Sequence, residues 1–156
     1  MKRPSIGDPK KVHAIGVVTI AWGECQLLLA GLSGERDLSD ANKRLIKHAR
    51  SIFAACRQNR NRYAHAITFA HAKHREEDGA VVVTLGLLGE KGSGGRDWVQ
   101  IRDSLSDIRA VAEEIETLGD FMRSLLTRLE LQPSSEDPPD FVVPPVPAVR
   151  GQPHSA

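Results

Sequence analysis

Aromatic side chains are scarce in this chain: they make up 4% of its 156 residues. A base-stacking platform of the single-strand-binding kind needs more rings than that. Cysteine is nearly absent too. Cys25 and Cys56 each stand among apolar residues on a predicted helix, so they read as small buried hydrophobes in a reducing, cytoplasmic setting rather than as a disulfide framework or a metal pair. The chain has no phosphate-binding loop. Its glycine-rich stretch GEKGSGG, residues 89–95, lacks the GxxxxGK[ST] spacing and reads as a turn. Net charge is only +1, so the average composition implies no polyanionic partner.

Long hydrophobic runs are represented by one stretch, Ala14 to Leu32, which follows a basic N-terminus. Glu24 and Gln26 interrupt it, and a carboxylate near the middle of a span costs about 2.5–3.5 kcal/mol on insertion scales. Ile15, Val18, Trp22, Cys25, Leu29 and Leu32 recur at alternating intervals of three and four, which is the seam of a packed helix. No membrane partner is expected.

The remaining patterns predict a mainly α chain with one core. A first helix over residues 9–31 should stop at the glycines of GLSG. Ser39 or Asp40 can cap a second helix, whose apolar positions Leu45, Ala49, Ile52, Phe53 and Cys56 share a face. QNRN, residues 58–61, is poor in apolar anchors and reads as a break, with a short third helix over residues 60–66. β-favouring runs follow: AITFAHA, AVVVTLGLL and DWVQIR. Ser104 and Asp107 then form a capping signature ahead of a last helix with Leu105, Ile108, Ala112, Ile115, Leu118, Met122, Leu125 and Leu129 on one face. The expected architecture is an up-and-down helical bundle over residues 1–132, with a small β-hairpin or sheet insertion between the third and last helices. Seven of the nine prolines fall from Pro133 onward, where no apolar periodicity survives, so residues 133–156 read as a disordered proline-rich tail.

Charge is unevenly distributed. From Lys43 to Arg62 there are seven basic residues and no acid, whereas Asp103 to Glu130 holds seven acids and three arginines. On a helical wheel Lys43, Lys47, Arg50 and Arg57 lie nearly opposite the apolar face of the second helix. A charge stripe of this kind is ordinarily a solvated face. Its alternative use is as a ridge facing phosphates, which Arg62 would extend.

Within the proposed break, Arg60, Asn61 and His65 spell RNxxxH. With this motif at a helix junction, a tryptophan and an acid on the first helix, strands after it and a long closing helix, residues 10–131 resemble the HEPN superfamily of helical-bundle proteins. Ala66 stands where many members carry glycine, and Gln26 or the offset Glu24 lies near the position of an acid after the tryptophan. The resemblance implies a homodimer whose two motifs face each other and, in many members, metal-independent cleavage of RNA. Other members are catalytically silent, serving in protein interaction or nucleotide binding. Toxin-like and defence roles are common in the family and would imply a cognate inhibitor or antitoxin protein as a partner.

The chemistry of the residues fits that implication. Metal-free RNA cleavage needs a base for the 2′-hydroxyl proton, positive charge at the phosphorane and an acid for the leaving oxygen. An imidazole that titrates near neutrality suits His65 to proton transfer, and the planar fork of Arg60 suits phosphate. Residues five apart on an unbroken helix diverge by about 140°, so the expected break would free Arg60 while Asn61 orients the imidazole. The competing reading is a polar turn in which Arg60 pairs with an acid of the last helix. His71 and His74, three apart, lack an anchored third ligand, and neither a metal nor another cofactor is expected.

Overall fold

A computed structural model describes residues 9–34, 36–64, 67–74, 81–90, 98–101 and 103–150, with side chains over 10–34, 36–63 and 103–150. Three long helices dominate: α1 (Pro9–Leu32), α2 (Asp40–Ala64) and α3 (Leu105–Leu131). Between α2 and α3 the backbone forms β1 (Ile67–His74), β2 (Val81–Glu90) and β3 (Trp98–Ile101). Both neighbouring pairs are antiparallel, with Ala70 opposite Leu85 and Leu88 opposite Gln100.

The core follows from the apolar seams. Ala14, Val18, Trp22, Cys25 and Leu32 of α1 meet Ile46, Ala49, Ile52, Cys56 and Tyr63 of α2 and a nearly continuous apolar face of α3 from Ile108 to Leu129. Pairs of contacts fix the directions: Cys25 Sγ donates to the Ile115 carbonyl while Gly31 lies beside Leu126, and Asn42 bonds Arg128 while Asn59 bonds Glu114. α1 and α3 therefore run alongside each other, with α2 antiparallel to both. Both thiols are free and buried. Burial, with help from Glu24 and against the pull of Arg123, pushes Cys25 up to about 11. Burial likewise raises Cys56 to about 12, aided by Glu114 and Cys25.

Local signals set the helix ends. Ser104 caps α3 through a reciprocal box, its hydroxyl accepting from the Asp107 amide while the Asp107 carboxylate accepts from the Ser104 amide. Ser39, not Asp40, caps α2, accepting from the Asn42 amide at 3.1 Å. α1 ends at Leu32, within the GLSG stretch expected to stop it, with Gly31 still helical.

Two expectations fail. α2 does not break at QNRN, and residues 60–64 continue it rather than starting a third helix, so the strands follow the second helix. Asn59 looked like a breaker because a free asparagine side chain competes for backbone groups. Here it is fully buried, and its amide is already engaged by Glu114 and the carbonyl of Ala148. The arginines and glutamine around it are good helix formers, and basic charge near a helix C-terminus is favourable.

The second failure is the tail. Residues 133–150 are not disordered but run as an extended strap along the bundle, from the start of α2 towards its end. Arg128, 6% exposed on α3, donates to the carbonyls of Asp137 at 2.6 Å, Pro138 and Ser135, and its Nε bonds Asn42 Oδ1 at 2.7 Å. Asn42 in turn donates to the carbonyls of Gln132 and Pro133. The Glu136 carboxylate accepts from the first amides of α2, His48 Nε2 meets the Pro144 carbonyl at 2.8 Å, and Phe141 packs on Phe121. An extended proline-rich backbone has no internal hydrogen bonds, so its carbonyls are open to such donors. Proline also lowers the entropy lost on ordering.

Candidate functional site

The last two turns of α2 are where α1, α3 and the strap converge. Arg60 lies in the unbroken helix, and its guanidinium carbon sits 5.6 Å from the centroid of the Trp22 ring on α1. An arginine over a tryptophan face is held by the ring quadrupole. One nitrogen also donates to Asn61 Oδ1 at 3.2 Å. Desolvation, then the nearby charge of Arg57, lowers the Arg60 pKa from its usual value. A guanidinium remains cationic under such a shift. Of its five donors, only the one to Asn61 is engaged among the described residues.

Arg62 faces the other way. Its Nε and NH2 form a two-pronged pair with Asp103 just ahead of α3, at 3.0 and 2.6 Å, and Tyr63 Oη donates to the same carboxylate at 2.6 Å. Burial opposes the charge on Asp103, but the hydrogen bonds from Arg62 and Tyr63 and the charge of Arg62 outweigh it and hold its pKa below the ordinary range. Burial, reinforced by the bond to Asp103, pushes the Tyr63 phenol well up. Arg62 thus clamps α2 to the start of α3 and does not extend the basic ridge as expected. Among the described residues no acid of α3 pairs with Arg60 as the competing reading expects; the nearby carboxylate, Asp103, lies ahead of α3 and pairs with Arg62.

Lys43, Lys47, Arg50 and Arg57 are all exposed, at intervals of four, three and seven. Asn61, also exposed, continues that row by four, so the ridge leads directly to the motif. From Lys43 to Arg57 the row spans about 21 Å. Among the described residues its one ion pair, Lys43 to Asp40 at 3.6 Å, is at the far end and solvent-exposed. Glu24 turns away from the motif, its carboxylate meeting Arg123 of α3 at 2.6 Å.

His65 lies outside the described residues; α2 ends one residue before it, at Ala64. The expected release of Arg60 by a break before the motif is therefore not what α2 provides, since the helix ends after Arg60. The turn expected at GEKGSGG falls, after Glu90, outside the described residues, as do the side chains of His71 and His74. Among the described residues no group of three or more His, Cys, Asp or Glu side chains is placed to hold a metal ion.

Several participants carried no sequence signal. Trp22 was legible as a core residue but not as the plate beneath Arg60. Asp103 and Tyr63 were silent because their partners are 40 or more residues apart in the chain. At the strap's end the Arg150 amide donates to Asn59 Oδ1 at 2.7 Å and its guanidinium meets Glu114 at 3.0 Å, one turn from Arg62. Comparison with protein-family models, curated proteins and solved structures found no match.

Proposed function

We propose that the chain is a cytoplasmic, metal-independent endoribonuclease, an up-and-down bundle with a small β insertion that acts as a homodimer with a composite site. The observation that carries this reading is Arg60, laid on the Trp22 ring beside Asn61 at the end of an exposed basic row and five residues ahead of His65. Lys43, Lys47, Arg50 and Arg57 would track the RNA backbone. Arg60 would donate two bonds to the non-bridging oxygens of one phosphate as charge develops there. His65 would take the proton of the 2′-hydroxyl as its oxygen attacks phosphorus, and Asn61 would orient the imidazole. The bond from phosphorus to the 5′-oxygen then breaks, and the partner's histidine or water protonates the leaving oxygen. The products are a 2′,3′-cyclic phosphate and a 5′-hydroxyl.

The test is incubation of the full chain with single-stranded RNA in EDTA beside Arg60→Ala and His65→Ala. Cleavage that survives chelation, yields cyclic phosphate ends and is lost in both variants supports the enzyme. A second reading, a non-catalytic dimeric module for protein interaction or nucleotide binding, is favoured by the Arg62–Asp103 clamp, which commits an arginine between Asn61 and His65 to structure. Intact RNA in all three samples would establish that reading.

A further inference from the structure

We propose that the outward pole of α1 is a self-association surface, filled by α1 of a second copy running antiparallel to it. Half a turn from the core seam, α1 carries Gly16, Ile20, Gly23 and Leu27 in succession, at intervals of four, three and four. Ile20 and Leu27 are 78% and 77% exposed. One exposed aliphatic residue is ordinary. Two at the outermost line of a helix, with the polar Thr19 and Gln26 displaced to the flank, reverse the usual arrangement of a surface helix.

The glycines supply the second observation. A methyl group added at Gly16 or Gly23 would meet nothing within 4 Å, whereas one at Gly31 would touch Leu126 at 3.4 Å and one at Gly119 would approach Arg123 and Cys25. The packing of the described residues thus gives no reason for glycine at 16 and 23, where alanine would make a better helix. Close approach by another backbone does give one.

The order of residues selects a second copy. Gly16 with Leu27, and Ile20 with Gly23, share one midpoint, between Ala21 and Trp22. A twofold axis through that point sets each large side chain of one helix against a glycine of the other. Parallel pairing would instead set Ile20 on Ile20 and glycine on glycine. A lipid surface would engage the large residues and leave the notches unused, although α1 is long and apolar enough to cross a membrane. The contact from His13 to Ala30 is about 26 Å long, and the area it buries is on the order of 1,000 Å², near the lower bound for a specific interface. The dimer is therefore reversible and sensitive to single side chains.

The pairing stands on α1 alone. Trp22 lies at the level of the axis. Arg60, however, lies over Trp22 on the core side of α1, so the two guanidinium groups are held apart behind the paired helices, and this contact is separate from the motif-to-motif pairing of the proposed nuclease.

Sedimentation of the full chain over a concentration series, with far-UV melting of each variant, tests the proposal apart from any RNA. The wild type is expected to dimerise reversibly, Ile20→Glu to weaken the dimer at least tenfold while remaining folded, and Gly23→Ala to weaken it while its monomer melts no lower. Mixed Ile20→Cys and Gly23→Cys proteins should oxidise to the 20-to-23 heterodimer in preference to either homodimer. A wild type that stays monomeric, or preferential 20-to-20 linkage, overturns the proposal. So does binding to phosphatidylcholine–phosphatidylglycerol vesicles that is lost in Ile20→Glu with no change in sedimentation.

Discussion

The two ends of α2 use similar residue types to opposite effect. At its start, Asn42 and Arg128 are buried together, and among the described residues their side chains bond backbone carbonyls or each other. At its end, Arg60 rests on a ring and an exposed asparagine, with most of its donors unengaged among the described residues. A saturated buried guanidinium can only hold a structure together, because any ligand must first displace its partners. One stabilised by its flat face, with its edge open, can hold an anion without unfolding anything. Arg62, two residues on, belongs with the first kind despite its position in the motif.

The contrast can be broken most severely at the saturated end. Arg128→Ala strips the donor from Asn42 and from three strap carbonyls, and about 3 kcal/mol of stability should go with it. For a chain of this size that lowers the melting temperature by roughly 10 °C, as calorimetry would register. A loss under about 1 kcal/mol would mean that the strap is not held as described.

The Arg62 clamp should give the next largest effect. Asp103→Asn removes the Asp103 carboxylate from the half-buried Arg62, which should cost about 2 kcal/mol at neutral pH in urea titrations. Its pH dependence has a definite sign. The folded-state pKa of Asp103 is depressed, so its contribution is present above the ordinary carboxylate pKa near 4 and is lost as pH falls through the lowered value. The variant should therefore lose less stability than the wild type between neutral pH and the acid limit. Parallel acid limbs in the two proteins would remove Asp103 from the clamp.

Smaller changes sharpen the contrast from the open end. Gly23→Ala should stabilise the monomer by about 0.5–1 kcal/mol, since the site is empty and the helix gains propensity. Lys47→Ala and Arg57→Ala should leave the melting temperature nearly unchanged. Each should reduce the slope of log affinity for single-stranded RNA against log salt by about 0.7, the value for one phosphate contact.

The sequence announced what is local and periodic. The seams of α1 and α3, the Ser104–Asp107 box and the burial of both cysteines follow from spacing alone. It misled where a polar residue's role depends on a distant partner. Asn59 reads as a helix breaker until Glu114, Ala148 and Arg150 are known to occupy its amide, and the proline-rich stretch reads as disordered until Arg128, Asn42 and His48 are known to seek its carbonyls. The motif spacing distinguishes Arg60 from Arg62, but nothing local to either shows which one is paired. Asp103, 41 residues away, decides which of them is committed.

The measurement that bears most directly on the contrast is RNA turnover in EDTA per folded molecule, for Arg60→Ala and Arg128→Ala beside the wild type. A cation–ring contact contributes only about 0.5–1 kcal/mol at such a site, so Arg60→Ala should stay folded and lose turnover, while Arg128→Ala should lose stability and keep turnover in its folded fraction. A folded Arg60→Ala protein that cleaves RNA at the wild-type rate would contradict the account.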